Sequence, residues 1–171
     1  MSVQPSTPSP AFVIKPEEPQ DGRKVEALLD HAFGPGRFVK SSERVREFAE
    51  YAPEMSLCAW EKGELLGVVR MWRVTVGGEP VVFLGPLAVD QRKRKAGLGG
   101  LLVARACHAA EAAGERVVLL VGDPPYFNRF GFAAAVAAGV RMPGPVDQRR
   151  VMARSLAHEP VHLEGPVTAR A

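Results

Sequence analysis

A chain of 171 residues that is 46% hydrophobic and 24% charged is most simply one globular domain with a sizeable core. The net charge of +3 is mild, no apolar run reaches the ~18 residues of a membrane span, and the N-terminus lacks the basic-then-apolar order of a secretory signal. Two cysteines, Cys58 and Cys107, make no disulfide framework, so the reading is a cytoplasmic protein with no membrane partner.

Residues 1–10 hold four Ser/Thr and three Pro and read as a disordered tail. The domain is expected over 11–157, with 158–171 a C-terminal extension carrying no assignable element. Ala11–Lys15 predicts a short strand. Asp21 is placed to cap a helix through Phe33, with Val25, Leu28, Leu29 and Phe33 on one face. Gly34-Pro35-Gly36 ends that helix. Ser41 or Ser42 is placed to cap a second, with Val45, Phe48 and Ala49 apolar. Met55–Glu61 and Leu65–Val76 form a hairpin across Lys62-Gly63-Glu64. Gly77-Gly78 turns the chain into a third strand, Pro80–Val89, whose apolar Val81–Leu84 run suits burial on both faces.

The most informative stretch is 87–102. A strand ends there, a basic turn with Gly97 and Gly99 follows, and a helix begins. Glycines let main-chain N–H groups approach an anion closely, and a helix start adds unpaired donors and the positive end of its dipole. This is a way to hold a pyrophosphate, so a phosphate-bearing cofactor is the first expectation. The helix is predicted over Gly97–Ala113, with a core stripe of Leu98, Leu101, Leu102, Ala106, Ala109 and Ala113, and Gly114 stopping it. Arg116–Val121 is the next strand, parallel to Pro80–Val89 because a helix crosses between them. Tyr126–Phe130 is a helical turn after Asp123-Pro124-Pro125. Residues 133–145 resist assignment, and Val151–Leu156 closes the sheet.

In order, these blocks resemble the GNAT superfamily of acyl-CoA-dependent N-acetyltransferases. Arg94-Lys95-Ala96-Gly97-Leu98-Gly99, with Gly100 beyond, fits the family's Gln/Arg-x-x-Gly-x-Gly/Ala motif. Leu84–Asp90 looks like its central strand, and Tyr126-Phe127-Asn128-Arg129-Phe130-Gly131-Phe132 looks like the element that closes its cofactor site. The resemblance implies an α/β fold with a mixed central sheet, parallel strands splayed at its middle and helices on the flanks. It implies acetyl-CoA as co-substrate and an amine as acceptor, with direct attack in a ternary complex. The strand Leu87-Ala88-Val89 would meet the pantetheine. Main-chain N–H groups from Arg94, Lys95, Ala96, Gly97, Leu98, Gly99 and Gly100 would cradle the pyrophosphate, and Val89 N–H would face the thioester carbonyl. Phe127 and Arg129 would border the cofactor.

One departure matters. The family commonly places a Tyr four residues before the Gly of Gly-Phe, to protonate the leaving thiolate; here that position is Phe127. Tyr126 is the replacement acid, or water serves, or the thiolate leaves unaided. Arg129 either contacts the adenine end of the cofactor or holds its loop by a salt bridge. The general base is open by residue type among Glu79, Asp90, Asp123 and His31, though Asp90 also reads as a cap of the basic turn and Asp123 as the start of the Pro-Pro loop. His108 reads as solvated. His158 and His162 lack a companion ligand cluster, so no metal is expected. Arg92–Lys95 read as phosphate neighbours or as a solvated turn, and without interleaved aromatics they give no nucleic-acid reading. Trp72 lines the acceptor cleft or packs. The acceptor site would be built from 22–60 and 133–157, and a homodimer is left open. Two other readings compete. One is a catalytically inactive acyl-CoA-binding sensor. The other is a dinucleotide oxidoreductase, disfavoured because Leu102 stands where a third glycine belongs.

Overall fold

The computed structural model describes residues 12–170 except Pro35, Phe38 and Val39, and gives no placement for the Lys95 side chain. The expected N-terminal tail lies outside the described residues.

The fold is α/β. The strands are β1 (Val13–Pro16), β2 (Glu50–Tyr51), β3 (Leu57–Glu61), β4 (Glu64–Val76), β5 (Glu79–Val89), β6 (Val117–Val121), β7 (Gly139–Arg141), β8 (Val151–Ser155) and β9 (Glu164–Ala169). The helices are α1 (Gly22–Phe33), α2 (Ser41–Phe48), α3 (Leu98–Ala112) and the single turn α4 (Pro124–Phe127). Along the sheet the order is β1-β3-β4-β5-β6-β8, with β2 and β9 also pairing β4 and β7 pairing β9. The long strand β4 is the spine. It pairs antiparallel with β5 on one side and with β3, β2 and β9 in succession on the other.

Two features of β5 place the site. First, Val69 opposes Leu87 while Met71 opposes Leu84, so Gly85 and Pro86 together face Arg70. That is a β-bulge, and the Gly-Pro pair suits it. Gly85 takes φ +138°, a region favouring glycine, and Pro86 has no N–H to offer the ladder. Trp72 Nε1 donates to the Gly85 carbonyl at 2.6 Å and fixes the bulge. Second, β5 and β6 are parallel, as expected, but their registered pairing covers only Val82 with Val118 and Phe83 with Leu119. Past the bulge, β5 runs on to Val89 while β6 ends at Val121, and the two strands part.

The helices cover opposite faces. On one, α3 buries Leu98, Leu102, Val103, Ala106, Cys107 and Ala110 against Leu66, Val69, Met71 and Val82. On the other, α1 buries Val25, Leu28 and Leu29 against Cys58, Val68 and Ala88. Neighbouring strand residues alternate faces, which is why Val69 belongs to one cluster and Val68 to the other. A Cβ on Gly67 would lie 2.8 Å from Leu102 Cδ1, so this glycine lets α3 settle close to β4. Leu98 and Leu102 are fully buried, each contributing roughly 1.5–3 kcal/mol. Among the described residues no helix is long and apolar enough to cross a membrane.

Several expectations are corrected. The stripe of α3 is turned relative to the predicted one: Leu101 is 39% exposed, while Val103, Cys107 and Ala110 are buried. The helix is apolar on most sides, so its period does not choose a face and the sheet does. Gly97 precedes the helix rather than starting it. Asp21 stands at the start of α1, but its carboxylate turns back to accept from Glu18 N at 2.9 Å. Neither Ser41 nor Ser42 caps α2; its cap is Lys40, whose carbonyl accepts from Glu43 N and Arg44 N. Pro53–Met55 forms a 3₁₀ turn, so β3 starts later than predicted. The last unexpected element is β9. Its Gly165 and Pro166 break the alternation by which strands are read, and Arg170 anchors it through Glu115 and the carbonyls of Val74 and Val81.

Candidate active site

Where β5 and β6 part, two neighbouring cavities share lining residues. The larger, about 510 Å³, is floored by Phe83–Leu87 and Leu120–Asp123 and walled by α2 residues and the 145–150 segment. The smaller, about 270 Å³, is bounded by Leu87, Ala88, Val89, Arg94, Gly99 and Tyr126. Phe33 and Leu87 line both. Phe33 was expected on the buried face of α1; it is instead 41% exposed and stands at this junction.

The main chain of β5 is arranged for a strand-like ligand. Asp90 N donates to Leu66 O at 2.8 Å. Antiparallel ladders alternate, so Ala88 also faces β4, and the N–H groups of Leu87 and Val89 turn away from it, to the side β6 has left. The structure brings Leu87, Ala88, Val89, Arg94, Gly99 and Tyr126 to one cavity.

The basic turn is a 3₁₀ helix, Gln91–Ala96, followed by Gly97 in the left-handed region at φ +75°. Asp90 caps it, accepting from Arg92 N at 3.0 Å. Hydrogen bonds from the Arg92 side chain and backbone hold the Asp90 carboxyl down at about 2. Arg92 is further paired with Glu64, and Lys93 with Glu61 at 3.1 Å. Two of the four basic side chains are thus engaged by carboxylates, while Arg94 reaches the smaller cavity. Gly99 and Gly100 have a purpose beyond the one the sequence suggests. A Cβ on Gly99 would lie 2.5 Å from Tyr126 Oη, and one on Gly100 2.7 Å from Phe130 Cζ. The aromatic element seats directly on the first turn of α3.

That element is held by the Asp123 carbonyl, which accepts from Tyr126 N at 3.1 Å and Phe127 N at 3.0 Å. Its two adjacent rings meet edge to face with centroids 4.9 Å apart and serve different cavities. Tyr126 borders the smaller one, while Phe127 packs over Gly122 in the larger. Burial pushes the Tyr126 hydroxyl above its ordinary value, against the opposing pull of Arg129. The Arg129 guanidinium lies 5.0 Å from the Tyr126 centroid and 5.4 Å from that of Phe130. It ties the loop through cation–π contacts, where a salt bridge was one of the expected modes.

Of the four base candidates, Asp123 lines the larger cavity. Glu79 pairs with Arg116 at 3.2 Å at the far end of β5, Asp90 is committed to Arg92, and His31 lies in a separate groove with Asp90. Trp72 packs against Tyr51 with centroids 5.1 Å apart and bonds the bulge. Arg37, Lys40, Ser41, Arg46 and Arg150 line the larger cavity; the sequence reading placed the acceptor within 22–60 and 133–157 but singled out only Ser41 of the five, and that as a helix cap. No motif marks them; they converge from separate segments.

Residues 24–132 match the acetyltransferase (GNAT) family. The chain belongs to this family. It is 30% identical over 151 residues to the uncharacterized N-acetyltransferase YhbS of Escherichia coli strain K12, covering 86% of this chain and 89% of that one. The crystal structure of E. coli YhbS in complex with CoA is similar at a TM-score of 0.81, with 28% identity over 98% of this chain and 94% of that one. A GNAT-family acetyltransferase from Brucella melitensis in complex with acetyl-CoA follows at a TM-score of 0.68, with 27% identity, covering 94% and 96%. These neighbours share the splayed-sheet α/β fold of this GNAT chain.

Proposed function

We propose that this GNAT protein moves the acetyl group of acetyl-CoA to an amine acceptor by direct attack, with both substrates bound at once. The observation that carries the reading is the pair of cavities meeting at Leu87. One is lined by a strand edge with outward N–H groups and a glycine-rich helix start; the other is walled by polar side chains from elsewhere in the chain. Each cavity suits one substrate, and their junction is where a thioester and an amine can meet.

The fit to CoA rests on the chain's own groups. Leu87 and Val89 offer main-chain donors and acceptors to the pantetheine amides, as a neighbouring strand would. Arg94 and the N–H groups from Arg94 to Gly100 face the pyrophosphate, with Gly97 supplying the left-handed turn that aims them. Val89 N–H donates to the thioester oxygen as negative charge grows on it. The amine nitrogen then forms its bond to the carbonyl carbon and the carbon–sulfur bond breaks. Asp123 accepts the amine proton, directly or through one water. Tyr126 Oη, kept protonated by burial, donates to the departing thiolate in place of the hydroxyl that Phe127 lacks. Phe33, Phe127 and Leu87 shield the junction from bulk water.

Two measurements test the proposal. Acetyl-CoA should raise the melting temperature of the purified protein, whereas NAD and ATP should not. A panel of amines should then release free thiol from acetyl-CoA. No thermal shift with acetyl-CoA would sink the proposal. A shift without thiol release for any amine would point to an acyl-CoA sensor.

A further inference from the structure

The larger cavity has an electrostatic character that acetyl transfer alone does not explain. Arg46, near the end of α2, is largely covered, with a side-chain exposure of 10%. Its Nε and Nη2 both donate to Glu43 Oε2, at 3.1 and 2.8 Å. Its third nitrogen, Nη1, points elsewhere: a Cβ on Gly85 would lie 3.5 Å from it. Arg46 therefore lays a donor-bearing nitrogen against the bulge of β5, on the floor of the cavity. Among the described residues Nη1 has no hydrogen-bond acceptor. Nη1 therefore keeps its N–H donors for an acceptor that enters the cavity.

The surroundings reinforce this. Lys40 stands at the mouth with its Nζ 5.6 Å from the Phe33 centroid. Arg150 lines the opposite wall, its Nε donating to Gly122 O at 3.2 Å. Arg37 also lines the cavity, engaged by Glu26 and Asp30 at 2.6 and 3.1 Å. Two carboxylates line the same space, Asp123 and Asp147, and Asp147 is held by Arg149 at 2.9 Å. Burial draws the Arg46 guanidinium below its ordinary value, Glu43 opposes this, and Arg37 and Arg70 add to it. An anion would relieve that strain. Among the described residues the lining carboxylate without a basic partner is Asp123, which follows β6 and whose carbonyl holds Phe127 N.

We propose that the acceptor is a short zwitterion: a reacting amine at one end and an oxyanion, carboxylate or phosphate, at the other, with Arg46 binding the oxyanion. Asp123 then meets the amine end and Arg46 the anionic end, with Lys40 and Arg150 adding positive potential at the rim. Arg46 Nη1 lies against Gly85 and Asp123 lines the same cavity, so a single small molecule can meet both. The inference rests on the acetyl-transfer reading and names its substrate class.

The test is a matched series on wild-type protein: propylamine, 4-aminobutyrate and 2-aminoethyl phosphate, each assayed for thiol release from acetyl-CoA. The anionic amines should exceed propylamine in kcat/KM on the order of tenfold or more, the scale of one charge-assisted hydrogen bond. The two anionic arms decide between carboxylate and phosphate. R46Q should raise KM for the preferred anionic amine by at least about tenfold and that for propylamine far less, with the acetyl-CoA thermal shift retained; R46K should restore part of the preference. Equal kcat/KM for propylamine and both anionic amines would overturn the inference and leave acetyl transfer standing. So would an R46Q protein, folded and shifted by acetyl-CoA, that loses neutral and anionic amines alike. Absence of both thermal shift and thiol release in wild type would overturn both readings. The wild-type series needs no variant, so it decides the question even where R46Q folds poorly.

Discussion

The two cavities at the β5–β6 gap are built on different plans. The smaller is made largely from one continuous piece of chain, Leu87 to Gly99, with Ala32 and Phe33 of α1 and Tyr126, and its strand edge turns the Leu87 and Val89 N–H groups outward. The larger gathers side chains from 33–46, 83–87, 120–127 and 145–150. A main-chain site depends on conformation, and conformation leaves a mark in local sequence: spaced glycines, a strand end, a helix start. A side-chain site depends on which distant segments the fold brings together, and it can change its residues without disturbing the sheet. The common part of the proposed chemistry therefore sits in the first cavity and the particular part in the second.

The sharpest way to break this comparison is at Gly99. Leucine there would drive into Tyr126 Oη and Val89 Cγ2, which lie 2.5 and 3.6 Å from the position of its Cβ. Acetyl-CoA affinity should fall on the order of a hundredfold or more, about 3 kcal/mol, seen as loss of the thermal shift with the protein still folded. Undiminished affinity would mean that the α3 start does not face the cofactor. Asp123→Asn strikes the other cavity. It should lower kcat about a hundredfold with little change in acetyl-CoA binding. An Asp123→Asn enzyme that keeps its kcat would remove Asp123 from proton transfer.

Tyr126 stands on the boundary between the plans. The adjacent rings of Tyr126 and Phe127 serve different cavities, so the hydroxyl that the family motif would place at 127 reaches the smaller cavity from 126 instead. Tyr126→Phe should slow turnover about tenfold, the size of one hydrogen bond to a developing thiolate. The pH profile adds a sign. Burial raises the Tyr126 pKa above its ordinary 10, so the acid form is present throughout neutral pH and is lost only as pH climbs past that value. The kcat profile of wild type should show no Tyr126 limb between pH 6 and its ordinary pKa. A falling alkaline limb inside that range that vanishes in Tyr126→Phe would contradict the burial.

What sequence could and could not reveal follows the same division. The hairpin of β3 and β4, the β5-α3-β6 crossover and the Tyr126–Phe132 element were all readable, because each is a local pattern of period, glycine and turn. The bulge at Gly85-Pro86 was not, since it depends on the register against β4 rather than on the strand's own pattern. Nor was the buried face of α3, where alanines and leucines on several sides leave the choice to packing. β9 was hidden by Gly165 and Pro166. Arg46 was not singled out at all; that it turns to the bulge requires knowing where α2 lies over the sheet.

The smallest effect expected belongs to Arg129. Its guanidinium spans the Tyr126 and Phe130 rings at 5.0 and 5.4 Å and bonds the Tyr126 carbonyl at 3.4 Å, yet it is exposed. Such contacts contribute roughly 0.5–1 kcal/mol where solvent reaches them. Arg129→Ala should therefore lower the melting temperature by about 1–4 °C, without altering the thermal shift that acetyl-CoA adds. The alternative role, contact with the adenine end of CoA, predicts the reverse: a nearly unchanged free protein and a weakened shift. Melting the variant with and without acetyl-CoA separates the two, because one contact is present before the ligand arrives and the other only after.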